Sequence, residues 1–384
     1  MIRVAYVSTY VPQKCGLATY TSHLRKAVAG AKGWIGRDPV VVLTNASGDY
    51  GEDPALWPLE RDQEELYAKM ARKVNHSEID VVSLQHEFGI FGGEAGSYIL
   101  TFIRSLRKPL VTTFHTVFEQ PKEPYAQIQR EIAEMSAKIV VMNRKAIGYL
   151  QAAYGVPAEK ICYIPHGAPE ANAEKRLQYR RELGWADRKA LMTFGLLSRG
   201  KGVELILKAL PEAIRLIPNL LYVIAGQTHP EIRKREGETY REELKAIISS
   251  SGIERHVLMI DKYMEEEELV RHLTACDLYV TPYPGMQQIT SGTLAYAAGL
   301  GRPVLSTPYA YARDLLGDDS ELLIPYGDEG AWAKKIVSLC SNEVKLKGWE
   351  KKMEQIGKSM HWPVVGKQYI DVFAEVRERE FVTG

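Results

Sequence analysis

Residues 285–307 read GMQQITSGTLAYAAGLGRPVLST. A loop of small and polar residues (Gln288, Thr290, Ser291, Gly292, Thr293) runs into an apolar, alanine-rich segment. That segment closes on Gly299 and Gly301, and Pro303 opens an extended PVLST. The pattern predicts loop, helix, strand. The first turn of a helix leaves backbone N–H groups without intrahelical partners and carries the positive end of the helix dipole, which makes it a seat for a phosphate. Small residues let an anion approach the backbone there, and the hydroxyls of Thr290, Ser291 and Thr293 add donors.

The same alternation of short apolar runs and longer amphipathic segments extends along the whole chain. Candidate strands lie at 3–7, 39–43, 81–84, 110–114, 139–142 and 161–164, then at 191–194, 221–225, 257–260, 278–281, 304–306 and 321–324. Helical patterns separate them, among them 63–74, 123–135 and 144–154, then 202–217, 239–250, 265–275 and 329–339. Strand, helix, strand at this pitch means a parallel sheet covered on both faces. A chain of 384 residues is also long for one core. The expected fold is α/β, with two doubly wound Rossmann-like domains facing a central cleft. The break falls near the loop 165–182. The tail, 362–379, places Val365, Tyr369, Val372, Phe373 and Val376 on one helical face with no strand after it. It reads as a closing helix that returns to the first domain. The expected domains are therefore 1–168 with the C-terminal helix 362–384, and 169–361.

The formal net charge is +1, with hydrophobic residues at 45% and charged residues at 25%, the balance of an ordinary globular protein with no basic excess for nucleic acid. The four cysteines, Cys15, Cys162, Cys276 and Cys340, have neither CxxC pairing nor metal-ligand spacing. The N-terminus runs straight into the strand-like VAYVS, and no run of about 18 apolar residues occurs. A reducing, cytoplasmic setting with free thiols is expected. Cys15 reads as a small filler beside Gly16 rather than a reactive thiol. In 19–34 a stripe of Tyr20, Leu24, Ala27, Val28 and Ala31 reads as core, with peripheral membrane contact the weaker reading.

Five places in this order resemble the GT-B glycosyltransferases of the large retaining family four. They are the loop 12–16 after the first strand, His115 after TTF, IPHG at 164–167, FGLLSRGKG at 194–202, and 288–304. The resemblance covers nearly the whole chain. It implies a nucleotide-sugar donor of the GDP-mannose or UDP-glucose type held mostly by the second domain. It also implies a carbohydrate acceptor held mostly by the first, metal-independent transfer without a cofactor, and retention of anomeric configuration. In that family a Lys matching Lys201 and an Arg earlier in the segment grip the diphosphate. Leu196 holds that Arg position here, and Arg199 is the substitute. Gly16 is expected to let the backbone face the phosphates, and a His matching His115 contacts a hydroxyl of the donor sugar.

Other positions depart from the family or stand outside its pattern. His166 stands where the family often has Asn. Aligned through 301–304, the family's pair of site glutamates falls on Gln288 and Tyr296. Gln288 can still hydrogen-bond sugar hydroxyls, whereas Tyr296 cannot give the bidentate carboxylate grip that the family uses on a ribose. His86 and Glu87, at the end of a strand, are the acceptor-side candidates, to orient a hydroxyl or take its proton. HEFG is not a metal motif, because HExxH needs a histidine where Ile90 stands.

These residues leave several readings open. The first is a retaining hexosyltransferase, with His115, Lys201, Arg199 and Gln288 at the reacting centre and Gly16, Ser291, Gly292, Thr293, Tyr296 and His166 about the donor. The alternatives keep the fold: a retaining phosphorylase or other sugar-phosphate enzyme, a nucleotide-sugar 2-epimerase, or a non-catalytic sugar or nucleotide sensor. A dehydrogenase is disfavoured because no GxGxxG follows either first strand.

Overall fold

The computed structural model describes residues 2–33, 37–45 and 53–383. Trp34, the end of the segment 19–34 that carries the predicted stripe, and Met1 and Gly384, the ends of the expected first domain, lie outside them. The chain forms two compact units, Met1–Gly167 with Trp362–Gly384, and Ala168–His361.

The first unit holds a seven-stranded sheet. Its strands are β1 (Val4–Ser8), β2 (Val40–Thr44), β3 (Leu56–Glu60), β4 (Val81–His86), β5 (Leu110–Phe114), β6 (Lys138–Val141) and β7 (Ile161–Tyr163), in the order β3-β2-β1-β4-β5-β6-β7. All pairings are parallel. Runs such as VVVLT and LVTTF are buried along their whole length, which explains why they read as continuous apolar strands rather than alternating ones. The second unit holds β8 (Lys189–Phe194), β9 (Leu220–Ala225), β10 (Val257–Ile260), β11 (Leu278–Thr281) and β12 (Val304–Ser306), in the order β10-β9-β8-β11-β12, again all parallel. In each sheet the strand order reverses beside the first strand, between β1 and β4 and between β8 and β11. The carboxyl ends at such a reversal are where open α/β sheets bind ligands.

Two strand expectations need correction. β3 escaped the sequence reading because LWPLE carries Pro58, which has no N–H to give, and its side chains are mostly half-buried. It survives as an edge strand, with Pro58 in register with Val42. Segment 321–324 forms no strand, and only Leu323 bridges to Ser306.

The tail forms the helix Trp362–Thr383. Val365, Tyr369, Val372, Phe373 and Val376 all enter one buried cluster with Val4, Tyr6, Tyr20 and Leu24. Each fully buried side chain of this size stabilises the unit by about 1.5–3 kcal/mol. Gly167 is obligatory where the chain leaves the unit, because a Cβ there would stand 2.2 Å from the indole of Trp362. Among the described residues no helix is long and apolar enough to cross a membrane.

Candidate functional site

In the second unit, β8 ends at Phe194 and the chain turns at Gly195, whose φ of +126° is a conformation side chains rarely adopt. A Cβ there would lie 3.3 Å from both Lys201 Nζ and Thr293 Cγ2. Gly202 closes the turn at φ +59°, and a Cβ on it would overlap the Pro282 carbonyl oxygen at 2.0 Å. The turn thereby carries Lys201 to the carboxyl end of β11. Its Nζ donates to the Tyr283 hydroxyl at 3.0 Å and lies 4.5 Å from that ring's centroid. The hydroxyl is 2.8 Å from Thr293 Oγ1, which is 3.2 Å from Ser291 Oγ.

Ser291 caps the helix Gly292–Gly299, its Oγ accepting from the Leu294 N–H at 3.3 Å. Tyr283 is buried, stacked on Tyr309 with ring centroids 5.3 Å apart, and its carbonyl accepts from Thr307 Oγ1 at 2.6 Å. An ammonium, three hydroxyls and a helix N-terminus therefore converge on one spot, the donor set that a phosphate requires.

Sequence reasoning foresaw Lys201, Ser291, Gly292 and Thr293 for this spot, and the structure brings them together. It missed Tyr283. The available signal was PYP directly after β11, a rigid aromatic at a strand's carboxyl end. The structure does not bring Arg199 to the group. Its guanidinium forks onto Glu243 at 2.6 Å twice and lies 5.2 Å from the Tyr240 ring, and Glu243 holds its charge firmly. Gln288 is exposed, donating to the Thr290 carbonyl at 2.8 Å. Tyr296 is buried, and its hydroxyl donates to Glu266 Oε1 at 3.4 Å.

In the first unit, Gly16 opens the helix Gly16–Ala31, and no protein atom lies within 4 Å of a Cβ built on it. The position is open, and the packing there does not by itself require glycine. Cys15 caps the helix, its Sγ accepting from the Ala18 N–H at 3.3 Å and lying 3.2 Å from Thr9 Oγ1. That is a structural use of the thiol, as expected for a small filler.

His115 follows β5 directly. Its Nε2 meets Gln85 Oε1 at 3.0 Å, and burial holds its pKa down at about 3, so the ring is neutral. Tyr20 stands edge-on to His115 and to His166, with centroids 4.9 Å away in each case. His166 is also neutral, its pKa lowered by burial to about 4, and its Nδ1–H donates to the Gly167 carbonyl at 2.7 Å.

The acceptor-side pair fares differently. His86 is fully buried among Phe88, Phe91 and Phe114, with centroids 4.7, 5.8 and 5.3 Å away. Among the described residues neither ring nitrogen has a hydrogen-bond partner, and desolvation drives its pKa to about 3. An imidazole sealed in this way reaches no external hydroxyl. Glu87 is spent locally, accepting from the Phe88 N–H at 3.0 Å and from Thr116 Oγ1 at 2.7 Å, while burial raises its pKa. β4 is buried along its whole length, so His86 is enclosed although it stands in a polar cluster at the strand's end.

Comparison with known proteins agrees with this architecture. Residues 54–171 match the family model described as Glycosyltransferase Family 4, and residues 188–342 match Glycosyl transferases group 1. A GDP-mannose-dependent alpha-(1-6)-phosphatidylinositol monomannoside mannosyltransferase of Mycolicibacterium smegmatis is 26% identical over 159 residues, 40% of this chain and 38% of that protein. Alpha-D-kanosaminyltransferase of Streptomyces kanamyceticus is 24% identical over 251 residues, 61% of this chain and 59% of that one. The chain thus spans less than two thirds of the length of these curated relatives. A crystal structure of Anabaena HepE in complex with UDP superposes with a TM-score of 0.75 at 16% identity, over 97% of this chain and 100% of that one. Two doubly wound units, each matched by a family model, decide the assignment: the chain belongs to the glycosyltransferases of group 1 and family 4, of GT-B fold.

Proposed function

We propose that the protein is a cytoplasmic, retaining hexosyltransferase that moves a mannose- or glucose-type sugar from a nucleotide-sugar donor to a hydroxyl of a carbohydrate acceptor. The observation that carries this reading is the convergence of Lys201, Tyr283 and Thr293 at the N-terminus of the helix Gly292–Gly299. Negative charge grows on the leaving diphosphate as the sugar C1–O bond breaks, and fixed cationic and N–H groups stabilise it. The acceptor oxygen bonds to C1 on the face that the diphosphate leaves, and its proton passes to a diphosphate oxygen, so no dedicated base is required. In the first unit, His115 offers a neutral ring nitrogen to a sugar hydroxyl. Arg199 reaches the diphosphate only by giving up Glu243.

The family's ribose-binding glutamate is Tyr296 here, but the Glu266 carboxylate lies 3.4 Å from the Tyr296 hydroxyl. A carboxylate therefore still stands at that helix, which favours a nucleoside diphosphate over a bare sugar phosphate. Relatives whose names specify GDP-mannose support the donor class.

The test is product analysis with GDP-mannose, UDP-glucose and glucose 1-phosphate, each with and without a carbohydrate acceptor, with NMR of the product anomer. Nucleoside diphosphate release with retained configuration is expected. Free phosphate from glucose 1-phosphate, or no product with any donor, overturns the reading.

A further inference from the structure

Gln85 is fully buried on β4, in register with Thr113 on β5. Its Nε2 points at two hydroxyls, Ser83 Oγ at 3.2 Å and Thr113 Oγ1 at 3.4 Å. Its Oε1 is left to face His115 Nε2 at 3.0 Å. An amide oxygen only accepts, so the proton of that contact sits on His115 Nε2. A neutral imidazole has one N–H, so Nδ1 keeps its lone pair. Nδ1 makes no hydrogen bond to protein among the described residues, and the His115 residue is half-buried where His86 is fully buried.

The far end of the chain of contacts lies on the tail helix. Thr113 Oγ1 is 2.9 Å from the Tyr369 hydroxyl, which is 3.0 Å from the Tyr20 hydroxyl. Tyr369 is fully buried, as are Thr113 and Ser83, so each of these groups loses a desolvated partner if the next one moves.

We propose that Gln85 is a positioning residue that locks His115 in the Nε2–H form, leaving Nδ1 to accept a hydrogen bond from a sugar hydroxyl, and that Tyr369 holds Gln85 in the orientation this requires. The functional half of the proposal rests on the reading of His115 as a sugar contact. The lock itself does not. With the amide turned over, its nitrogen would donate to His115 Nε2, the ring proton would move to Nδ1, and His115 would offer a donor where the proposal gives it an acceptor.

The experiment uses the full chain with 15N-labelled histidine rings, the His115 signals being assigned by their loss in His115→Gln. Long-range proton–nitrogen correlation is expected to show the Nε2–H form. The Nδ1–H form overturns the proposal. Gln85→Leu is expected to mix the two forms and to lower kcat about tenfold, the worth of one hydrogen bond, with the Kd of the nucleoside diphosphate unchanged. Gln85→Glu keeps an acceptor in place. It is expected to restore most of kcat and to move the acidic limb of the pH–rate profile upward, because a carboxylate favours the protonated ring. Tyr369→Phe is expected to shift the ring equilibrium in the same direction as Gln85→Leu. A Gln85→Leu ring that still reads as pure Nε2–H overturns the lock. Full activity in His115→Ala overturns the sugar contact alone, and the ring spectrum still decides the lock.

Discussion

Lys201 and Tyr283 meet twice, the ammonium donating to the phenol oxygen at 3.0 Å and lying 4.5 Å from the ring centroid. The tyrosine thereby aims a mobile point charge, and the lysine supplies the field at the leaving group. Replacing Lys201 with Ala should lower kcat by about 10²–10³-fold, the usual cost of one group that stabilises developing charge. Tyr283→Phe keeps the ring and should cost about tenfold or less. Steady-state kinetics with the preferred donor checks the ranking, and equal losses in the two variants would contradict it.

Glu266 should matter to the nucleoside. If its carboxylate serves the ribose, Glu266→Gln removes a charge-assisted bond and should weaken the nucleoside diphosphate by about 1.5–3 kcal/mol while leaving inorganic phosphate binding unchanged. Calorimetric titration of both ligands distinguishes this from a general loss of fold.

The second unit should depend on Asp277. Its carboxylate accepts from Arg176 at 2.8 Å, from Arg180 at 3.1 Å and from the Ala190 N–H at 2.8 Å, all at the amino-terminal edge of the sheet. Arg180 is itself buried. Asp277→Ala leaves that guanidinium without its counter-charge and should destabilise the unit by about 3–5 kcal/mol, read from chemical denaturation.

Acid should weaken the first unit. Burial holds His86 at about 3, whereas an unfolded histidine titrates near 6.5. The unfolded chain then binds the extra proton, so stability is full above about pH 6.5 and falls as the pH drops toward the folded value, by about 2 kcal/mol for one such group at pH 5. His115 and His166 are shifted in the same direction. His86→Leu should reduce the difference in thermal midpoint between pH 7.5 and pH 5. An unchanged difference would assign the acid sensitivity elsewhere.

The sheets were legible because parallel strands buried on both faces leave runs such as VVVLT, which no other element explains as well. β3 was not legible, because its proline contradicts the propensity that defines the pattern, and edge position is a tertiary fact. In the site, Ser291 and Thr293 could be named because a phosphate seat needs hydroxyls running into a helix start, and Lys201 because the segment 194–202 resembles the family's. Tyr283, Glu266 and the bond from Gln85 to His115 depend on which strand lies beside which, and one-dimensional spacing does not carry that. His86 misled because a polar cluster at a strand end concealed that both faces of β4 are covered. Arg199 was assigned as the substitute for an arginine that the family pattern places at Leu196, and its geometry gave it to Glu243.

Synthesis runs from the amino end, so the stretch 168–361 is complete while the earlier unit still lacks Tyr369 and Phe373. Until those turns leave the ribosome, the pocket they fill is open and the hydroxyl relay behind His115 is missing its anchor. The helix Trp362–Thr383 therefore acts as a keystone in time as well as in space, and a nascent chain halted before residue 369 should expose apolar surface to chaperones however well its second unit has matured.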